Sequence, residues 1–294
     1  MDTPVLTVPN WSLGREKTVL HQGLDLLESA DVTVHFAEAD LDHNRTVTAF
    51  SGDASEVLVT LFELARIWLP AINLHRHVGV HPRIGGLDVC PWIPLAPASP
   101  HFAEWVAESA QAFAEEFEIP VFLYEHSSVA GSHSSLPELR KGGFGALLGR
   151  ELSPDFGPTQ AHPYLGATVW GWRDFLVALN VNFPSENLEA VERIAAEIRA
   201  RRRAKEPGFE GVRSLGLALA EQGLVQVSLN LTKPFESKID SVVQFIMEAA
   251  AARGLTEGYT ELIGVIPETL AQESSTVYPR SEQIVKMERY EPAI

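Results

Sequence analysis

The sequence predicts an α/β protein of the α+β kind, built from two units that each combine strands and helices. The chain has 294 residues, a length that suits one large or two medium domains. Hydrophobic residues make up 45% and charged residues 21%, as in globular proteins with a sizeable core. Regular periodicity occurs on both sides of residues 126–165, a stretch rich in Ser, Gly, Pro and His, so we expect one unit on each side.

The first half predicts alternating strands and helices. Asp53 and Glu56 resemble a capping box, and the apolar residues that follow recur at helical spacing. Ser99-Pro100 is a typical helix start, and Pro120 precedes an apolar strand. In chain order we expect a strand at 5–8, a helix at 15–29, strands at 32–38 and 46–51, helices at 53–69 and after Pro100, and a strand at 121–124.

The second half predicts a hairpin flanked by helices. Leu215, Leu217 and Leu219 precede a turn at Gly223, and the residues after it alternate between apolar and polar. Ser185 is the expected cap of a helix that ends in the basic run 199–205. Further elements are two strands within 167–183, a helix at 237–253 and a strand at 260–266. No clear sequence repeat relates the two halves.

Composition limits the function and the compartment. A formal charge of −16 argues against a nucleic-acid partner, which would draw on an excess of Lys and Arg. The single Cys90 lies in an apolar run, where a buried structural thiol is expected rather than a nucleophile. The N-terminal residues have neither the basic region nor the apolar stretch typical of a signal peptide, and no segment is long and apolar enough to span a bilayer. We therefore expect a cytoplasmic protein without membrane contact.

Imidazole and guanidinium groups are concentrated in two short segments, residues 43–45 and 75–85. An acidic protein whose His and Arg side chains cluster in this way is expected to bind an anionic or polar small molecule there. A metal site made from His75, His77 and His81 is the alternative. The sequence favours a metal-free site, because Cys ligands and a sharper metal motif are absent. Taken singly, a His is more often a surface or core residue than a base.

Two other polar stretches predict only loops. Gly142-Gly143-Phe144-Gly145 is too short a signal for a phosphate-binding loop. Ser and His residues at 126–128 and 133–134 lack the strand-turn-helix context of a nucleophilic serine.

Several motifs together resemble one family. In chain order they are Val8-Pro9-Asn10-Trp11-Ser12-x-Gly14-Arg15, His43-Asn44-Arg45-Thr46-Val47, His81-Pro82-Arg83-Ile84-Gly85, Asp88-Val89-Cys90-Pro91-Trp92-Ile93-Pro94, Arg140-Lys141-Gly142, Asp155-Phe156-Gly157-Pro158, Gly166-Ala167-Thr168-Val169, Asn180-Val181-Asn182 and Gln226-Val227-Ser228-Leu229-Asn230-Leu231. This series resembles the formiminotransferase domain family, which includes the N-terminal part of formimidoyltransferase-cyclodeaminases.

The resemblance implies a fold and an activity. It implies two ferredoxin-like subdomains, here residues 1–172 and 173–294, with the active site in the cleft between them, and a cytoplasmic homodimer. The implied reaction transfers a formimino group from N-formiminoglutamate to tetrahydrofolate, which is a co-substrate, without a metal. Such a transfer belongs to histidine degradation and one-carbon metabolism.

The resemblance also implies roles for particular residues. His81 corresponds to the general base, Glu38 would orient it, and Arg83 is a further catalytic candidate. Asn10, Asn44 and Arg45 would bind the donor, with Arg45 and Arg83 suited to carboxylates. The implied folate-binding loop consists of Gly157, Pro158, Thr159, Gln160, Ala161, His162, Pro163, Tyr164, Leu165 and Gly166.

Three positions depart from the family pattern. Leu13 and Val80 stand where an acidic residue is usual, and Glu38 replaces a typical Asp. Two alternatives therefore stay open. One is a related formyl or formimino transferase with a different donor, and the other is a folate-binding protein without turnover.

Overall fold

The computed structural model describes residues 3–128 and 140–288. They form two compact units, one made of residues 3–173 with Glu288 and the other of Asp174–Met287. Each unit combines a β-sheet with helices, so the predicted mixed α/β class is confirmed. The ferredoxin-like description stays a prediction. No helix in the described ranges has the length and apolar character needed to cross a membrane.

The first unit alternates strands and helices as expected. Its elements are β1 (Val5–Thr7), β2 (Asn10–Trp11), α1 (Lys17–Ser29), β3 (Thr33–Asp40), β4 (Arg45–Gly52), α2 (Ala54–Trp68), β5 (Leu87–Pro94), α3 (Phe102–Phe117), β6 (Val121–Leu123) and β7 (Thr168–Trp172).

The sheet of the first unit is built around β4 and β5. β4 pairs antiparallel with β3 on one side and with β1 and β2 on the other, and both of these also pair antiparallel with β5. β7 then lies parallel to β5, and β6 lies parallel to β7. β1 and β2 together act as one strand, which is interrupted at Pro9 because proline cannot donate a ladder hydrogen bond.

Aromatic side chains fill the core of the first unit. Trp11 and Trp68 meet edge to face with ring centroids 5.1 Å apart, and Trp92 and Trp170 lie 5.6 Å apart. All four are fully buried in the same cluster as the apolar stripes of α1, α2 and α3. Large buried aromatic rings contribute strongly to core stability, so this cluster fixes the sheet against its helices.

The second unit has the element order β-α-β-β-α-β, followed by a short C-terminal part. Its elements are β8 (Val177–Pro184), α4 (Leu188–Arg203), β9 (Val212–Leu219), β10 (Leu224–Leu231), α5 (Ile239–Ala251), β11 (Tyr259–Ile263), β12 (Ile266–Pro267), α6 (Glu268–Glu273) and β13 (Ile284–Val285). The main sheet is antiparallel in the order β11-β8-β10-β9, which confirms the hairpin predicted around Gly223.

Several boundaries differ from the prediction. Helix α4 begins later than expected, because Asn187 is its cap and accepts from Ala190 N at 3.2 Å, whereas Ser185 Oγ accepts from Asn187 N. The strand expected at 260–266 is divided into β11 and β12. β5 was not predicted, because a strand buried along its whole length shows a continuous apolar run without alternation.

Candidate active site

The turn between β3 and β4 forms one side of the site. Asn44 closes this turn in the left-handed conformation, with φ of 46°, and its Oδ1 accepts a 3.0 Å hydrogen bond from Gly14 N. His43 is buried. Its backbone N–H donates a 2.6 Å hydrogen bond to Oδ1 of Asp40, three residues earlier. Asn is one of the few side chains that tolerate this backbone conformation, so the turn is locally encoded.

The connection between α2 and β5, residues 69–86, lies against that turn. The Arg83 guanidinium donates to three backbone carbonyls, those of Asn44 at 3.1 Å, His43 at 2.5 Å and His81 at 3.2 Å. A Cβ atom at Gly79 would lie 2.2 Å from His43 O, so only glycine permits the close approach. Arg83 therefore ties the connection to the turn.

His77 completes this contact and is held in its neutral form. Its Nε2 lies 2.8 Å from Arg83 Nη1 and 2.8 Å from Asn44 O. Burial, followed by the charge of Arg83, lowers the pKa of His77 to about 4. Burial also lowers the pKa of Arg83, but only to about 10. At neutral pH the pair thus consists of an uncharged imidazole and a charged guanidinium.

His81 has a defined tautomer. Its Nδ1 lies 2.9 Å from Pro82 O, and because a carbonyl can only accept, Nδ1 must carry the proton. In the neutral ring Nε2 is then the unprotonated nitrogen. Burial, and after it the positive charges of Arg45 and Arg140, lower the pKa of His81 well below its usual value. His81 is therefore a neutral imidazole with an unprotonated Nε2 at physiological pH.

Arg45 and Arg140 supply fixed positive charge beside His81. Arg45 lies opposite Asp40 in the β3–β4 ladder, and its buried Nε has no hydrogen-bond partner in the described part of the protein. Burial and the charge of Arg140 lower the pKa of Arg45 to about 10, so it stays charged. Arg140 pairs with Asp88, which also accepts from Ile84 N at 2.7 Å. The positive charges of both arginines thus act on the His81 ring.

A cavity of about 370 Å³ opens beside His77, His81 and Arg83. It is lined by Leu74, His75, His77, Gly79, His81, Arg83, Phe144, Gly145 and Leu148. The cavity combines imidazole and guanidinium groups with apolar contacts, as small-molecule sites usually do.

The expected folate loop adjoins this cavity. Gly86 N donates to Leu165 O at 2.8 Å, and Leu74 N donates to Tyr164 O at 2.9 Å. Gly166 has φ of 69°, and a Cβ there would lie 1.9 Å from Ile84 O. The end of the loop is therefore joined by backbone hydrogen bonds to the segment that carries His81.

A second cavity, of about 430 Å³, lies at the same loop. Its lining is mostly apolar and consists of Leu69, Pro70, Ala71, Ile72, Asn73, Phe117, His162, Tyr164 and Leu165. Tyr164 is half-exposed, and its ring centroid lies 6.1 Å from that of His75, which lines the first cavity. The two cavities thus share the wall formed around Tyr164 and His75.

The sequence-predicted residues do not all line the first cavity. His81 and Arg83 do, whereas Asn10, Glu38, Asn44 and Arg45 are not among its lining residues. Asn10 and Glu38 both lie opposite Val47, on β2 and β3, and therefore share one face of the sheet. Asn10 Nδ2 donates to Val8 O at 3.1 Å.

Some features of the site were not predicted from the sequence. Phe144 and Gly145 line the cavity, although the glycine-rich run that contains them predicted only a loop. Arg140 and Asp88 were visible within matched motifs, but nothing in those motifs indicated that they pair.

The other nucleophile and metal-ligand candidates were a cysteine, a Ser- and His-rich loop, and three histidines. Cys90 is buried, and burial raises its pKa well above the usual value. Ser127 Oγ accepts a 2.8 Å hydrogen bond from Trp172 N, while His133 and Ser134 lie outside the described residues. Within those residues, no group of three or more His, Cys, Asp or Glu side chains is arranged to hold a metal ion.

Family comparisons agree with this arrangement of motifs. The model of the formiminotransferase domain, N-terminal subdomain, matches residues 4–173, and that of the formiminotransferase domain matches residues 178–292. This chain belongs to the formiminotransferase domain family. The resemblance inferred from the motifs is confirmed.

Relatives of this formiminotransferase-domain chain include proteins of similar length and longer proteins. It is 33% identical to a glutamate formimidoyltransferase of Thermoplasma acidophilum over 89% of this chain and 87% of the relative. A glutamate formimidoyltransferase of Streptococcus pyogenes is 30% identical, with 88% of each chain covered. The formimidoyltransferase-cyclodeaminase of Gallus gallus is 33% identical over 96% of this chain, which spans 53% of that relative's length.

Proposed function

We propose that this protein is a glutamate formimidoyltransferase that transfers the formimino group of N-formiminoglutamate to tetrahydrofolate. The observation that carries the proposal is His81, a neutral imidazole at a cavity, whose Nδ1 proton is engaged by Pro82 O so that Nε2 is free to accept a proton. The reaction assigned to this base is inferred from the family to which the chain belongs.

In the proposed reaction, N5 of tetrahydrofolate attacks the formimino carbon, so that a C–N bond forms while the C=N π electrons move onto the imino nitrogen. His81 Nε2 accepts the proton that N5 loses, which gives a tetrahedral intermediate. The C=N bond to the imino nitrogen then re-forms as the bond from carbon to the glutamate nitrogen breaks, and His81 returns the proton to that leaving amine. Because Arg45 and Arg140 disfavour a lasting positive charge on His81, the ring is unprotonated before the attack and readily releases the proton afterwards.

Arg83 is proposed to be a positioning residue. Its guanidinium donates to three carbonyls of the protein and contacts His77, which leaves little capacity for a substrate carboxylate. Arg45 is the better carboxylate ligand, because its buried Nε has no partner. Asn10 and Asn44 would orient the donor, Glu38 would orient His81, and residues 157–166 would bind folate along the second cavity.

Further properties of the family complete the proposal. They are two ferredoxin-like subdomains, a cytoplasmic homodimer, no metal, and a place in histidine degradation. Membership of the family supports each of them.

The deciding experiment incubates the purified protein with tetrahydrofolate and N-formiminoglutamate. Mass spectrometry should detect 5-formiminotetrahydrofolate and glutamate in equal amounts, and omission of either substrate should abolish both. The proposal fails if folate binds, as judged by a rise in melting temperature, but no carbon is transferred. That result would favour the folate-binding alternative. Chelators should leave stability and turnover unchanged.

The donor is tested at Val80. This side chain is 40% exposed directly before His81, and its backbone N–H donates to Asp42 O at 3.2 Å. Without an acid here, a cationic formimino donor lacks one favourable electrostatic interaction with the site. A neutral formyl donor does not depend on that interaction, so its transfer should be favoured relative to formimino transfer. We expect Val80→Glu to raise the ratio of formimino to formyl transfer. An unchanged ratio would exclude this position as a specificity determinant.

A further inference from the structure

The turn at residues 162–166 is closed by its own backbone and by one side chain. His162 N donates to Gly166 O at 2.8 Å, and Gly166 N donates to His162 O at 2.9 Å. The backbone N–H groups of Tyr164 and Leu165 both donate to Nδ1 of the His162 ring, at 3.3 Å and 3.0 Å. One imidazole nitrogen therefore satisfies two backbone donors of the turn.

These hydrogen bonds determine the tautomer of the ring. A nitrogen that accepts from backbone N–H groups carries no proton, so the neutral His162 ring has its proton on Nε2. Burial lowers the pKa of His162, and the Glu118 carboxylate opposes this effect only in part. At neutral pH the ring is therefore uncharged, and Nδ1 remains an acceptor.

The carbonyls of Tyr164 and Leu165 hold both ends of the segment that carries the proposed base, residues 75–85. Leu74 N donates to Tyr164 O at 2.9 Å, and Gly86 N donates to Leu165 O at 2.8 Å. The peptide group between Tyr164 and Leu165 therefore has two partners, since its C=O accepts from Leu74 and its N–H donates to the imidazole. Hydrogen bonds arranged in such a chain strengthen one another.

The imidazole supplies what the backbone of the turn lacks. Without it, the N–H groups of Tyr164 and Leu165 have no other partner in the described residues. Rotation of the peptide between them would then withdraw Tyr164 O from Leu74 N. The turn also touches the segment directly, because a Cβ at Gly166 would lie 1.9 Å from Ile84 O. A change in the turn must therefore be passed on to the segment.

We propose that His162 is a positioning residue for the transfer reaction: its Nδ1 fixes the peptide between Tyr164 and Leu165, and this peptide holds the segment that carries His81. The inference rests on the proposed function and adds to it a residue that acts through the His81 segment. Because His162 and Tyr164 also line the second cavity, one turn connects the two cavities.

The kinetic test compares His162→Ala with His162→Asn. His162→Ala removes the acceptor, so kcat should fall by about 10- to 100-fold, as expected when a catalytic segment loses its position. His162→Asn should recover most of this loss, because an Asn Oδ1 accepts from N–H groups two and three residues later. A ring that served only to contact folate would instead raise the KM for tetrahydrofolate in both variants and leave kcat unchanged, which would overturn the inference.

Hydrogen exchange follows the same contacts without turnover. In His162→Ala the amides of Leu74 and Gly86 should exchange about 10- to 100-fold faster than in the wild type, because the loss of two hydrogen bonds loosens the turn. In His162→Asn they should exchange at close to the wild-type rate. His21→Ala is the matched control and should change neither rate, since the His21 ring also bonds a backbone group, Lys17 O at 2.7 Å, but within α1.

A third variant separates the acceptor from the packing of the ring. His162→Phe keeps a ring without an acceptor and should behave as His162→Ala does, with circular dichroism as the check of folding. The inference is overturned if Leu74 and Gly86 exchange at the wild-type rate in both of these variants, or if His162→Asn loses protection and turnover to the same extent. Absence of transfer by the wild type, with the exchange rates as expected, would instead refute the proposed function alone.

Discussion

The two units share an order of elements but not a distribution of chemistry. In the first, β1 and β2 together, α1, β3, β4, α2 and β5 follow the order β-α-β-β-α-β; in the second, β8, α4, β9, β10, α5 and β11 follow the same order. The pairing also agrees, because the first strand lies between the third and fourth in both sheets. A common framework therefore does not by itself make a site.

The connections account for the difference. The turns at residues 41–44 and 220–223 both end in a left-handed residue, Asn44 in one and Gly223 in the other. In the first unit the long connection 69–86 reaches the turn through Arg83. In the second, the corresponding connection covers only residues 252–258, and a Cβ at Gly223 would meet nothing within 4 Å. The site thus depends on one extended connection.

Histidine, cysteine and tryptophan side chains are also distributed unequally between the two units. All ten histidines and the single cysteine lie before residue 174, as do all six tryptophans. The second unit instead has amides on β8 and β10, where Gln226 Nε2 donates to Asn182 Oδ1 at 2.8 Å and Asn182 Nδ2 donates to Glu261 Oε2 at 3.0 Å. Histidine-linked effects should therefore arise in the first unit alone.

The largest expected effect comes from removing the base. His81→Ala should fold and bind folate but lose turnover by about 10²–10⁴-fold, because general base catalysis typically contributes that much. Single-turnover kinetics, folate titration and circular dichroism on one preparation separate lost chemistry from lost folding. Near-normal turnover of the folded variant would remove His81 as the base and direct attention to His43 and His77.

The second-largest effect is expected from a variant that disturbs the contact between the connection 69–86 and the turn 41–44. Gly79→Ala places a Cβ 2.2 Å from His43 O and 2.7 Å from Arg83 Nη2, so the connection must shift. We expect turnover to fall by about 10²-fold, since misplacement by about 1 Å can cost that much. Gly145→Ala, where nothing lies within 4 Å, is the control for a cavity glycine. Equal losses in both variants would contradict the proposed contact.

A smaller effect concerns pH and stability. The pKa of His77 is about 4 when folded and about 6.5 when unfolded, so the unfolded chain binds more protons between these values. Its contribution is present above pH 6.5 and is lost as pH falls toward 4, by about 1–3 kcal/mol after allowance for solvent screening. Urea unfolding followed by tryptophan fluorescence reports the first unit only. His77→Gln should flatten this dependence, and an unaltered slope would contradict the assignment.

The smallest effect is expected in the turn of the second unit. Gly223 has φ of 66°, so Gly223→Ala should strain the turn by about 1 kcal/mol without a steric clash. Hydrogen exchange should show faster opening of β9 and β10, while kcat stays at the wild-type value. A large loss of turnover in this variant would show that the second unit's turn also serves the site.

Local patterns in the sequence determined much of the framework. The apolar spacing of α2 and the alternation in β10 predicted elements that the structure contains, because both periodicities arise within one element. The ordered motifs identified the family. They also selected both segments that meet at the site, 43–45 and 75–85, since their His, Arg and Gly residues are rare in an acidic chain.

Only the tertiary structure decided what each of these side chains does. By residue type Arg83 was a candidate for holding a substrate carboxylate, and the structure adds that its guanidinium donates to carbonyls up to 40 residues away in sequence. The tautomer of His81, the neutral state of His77 and the position of His43 beside Asp40 likewise depend on burial and on charges from other elements. Residue type sets which hydrogen bonds and protonation states are available, but the folded surroundings determine which of them occur.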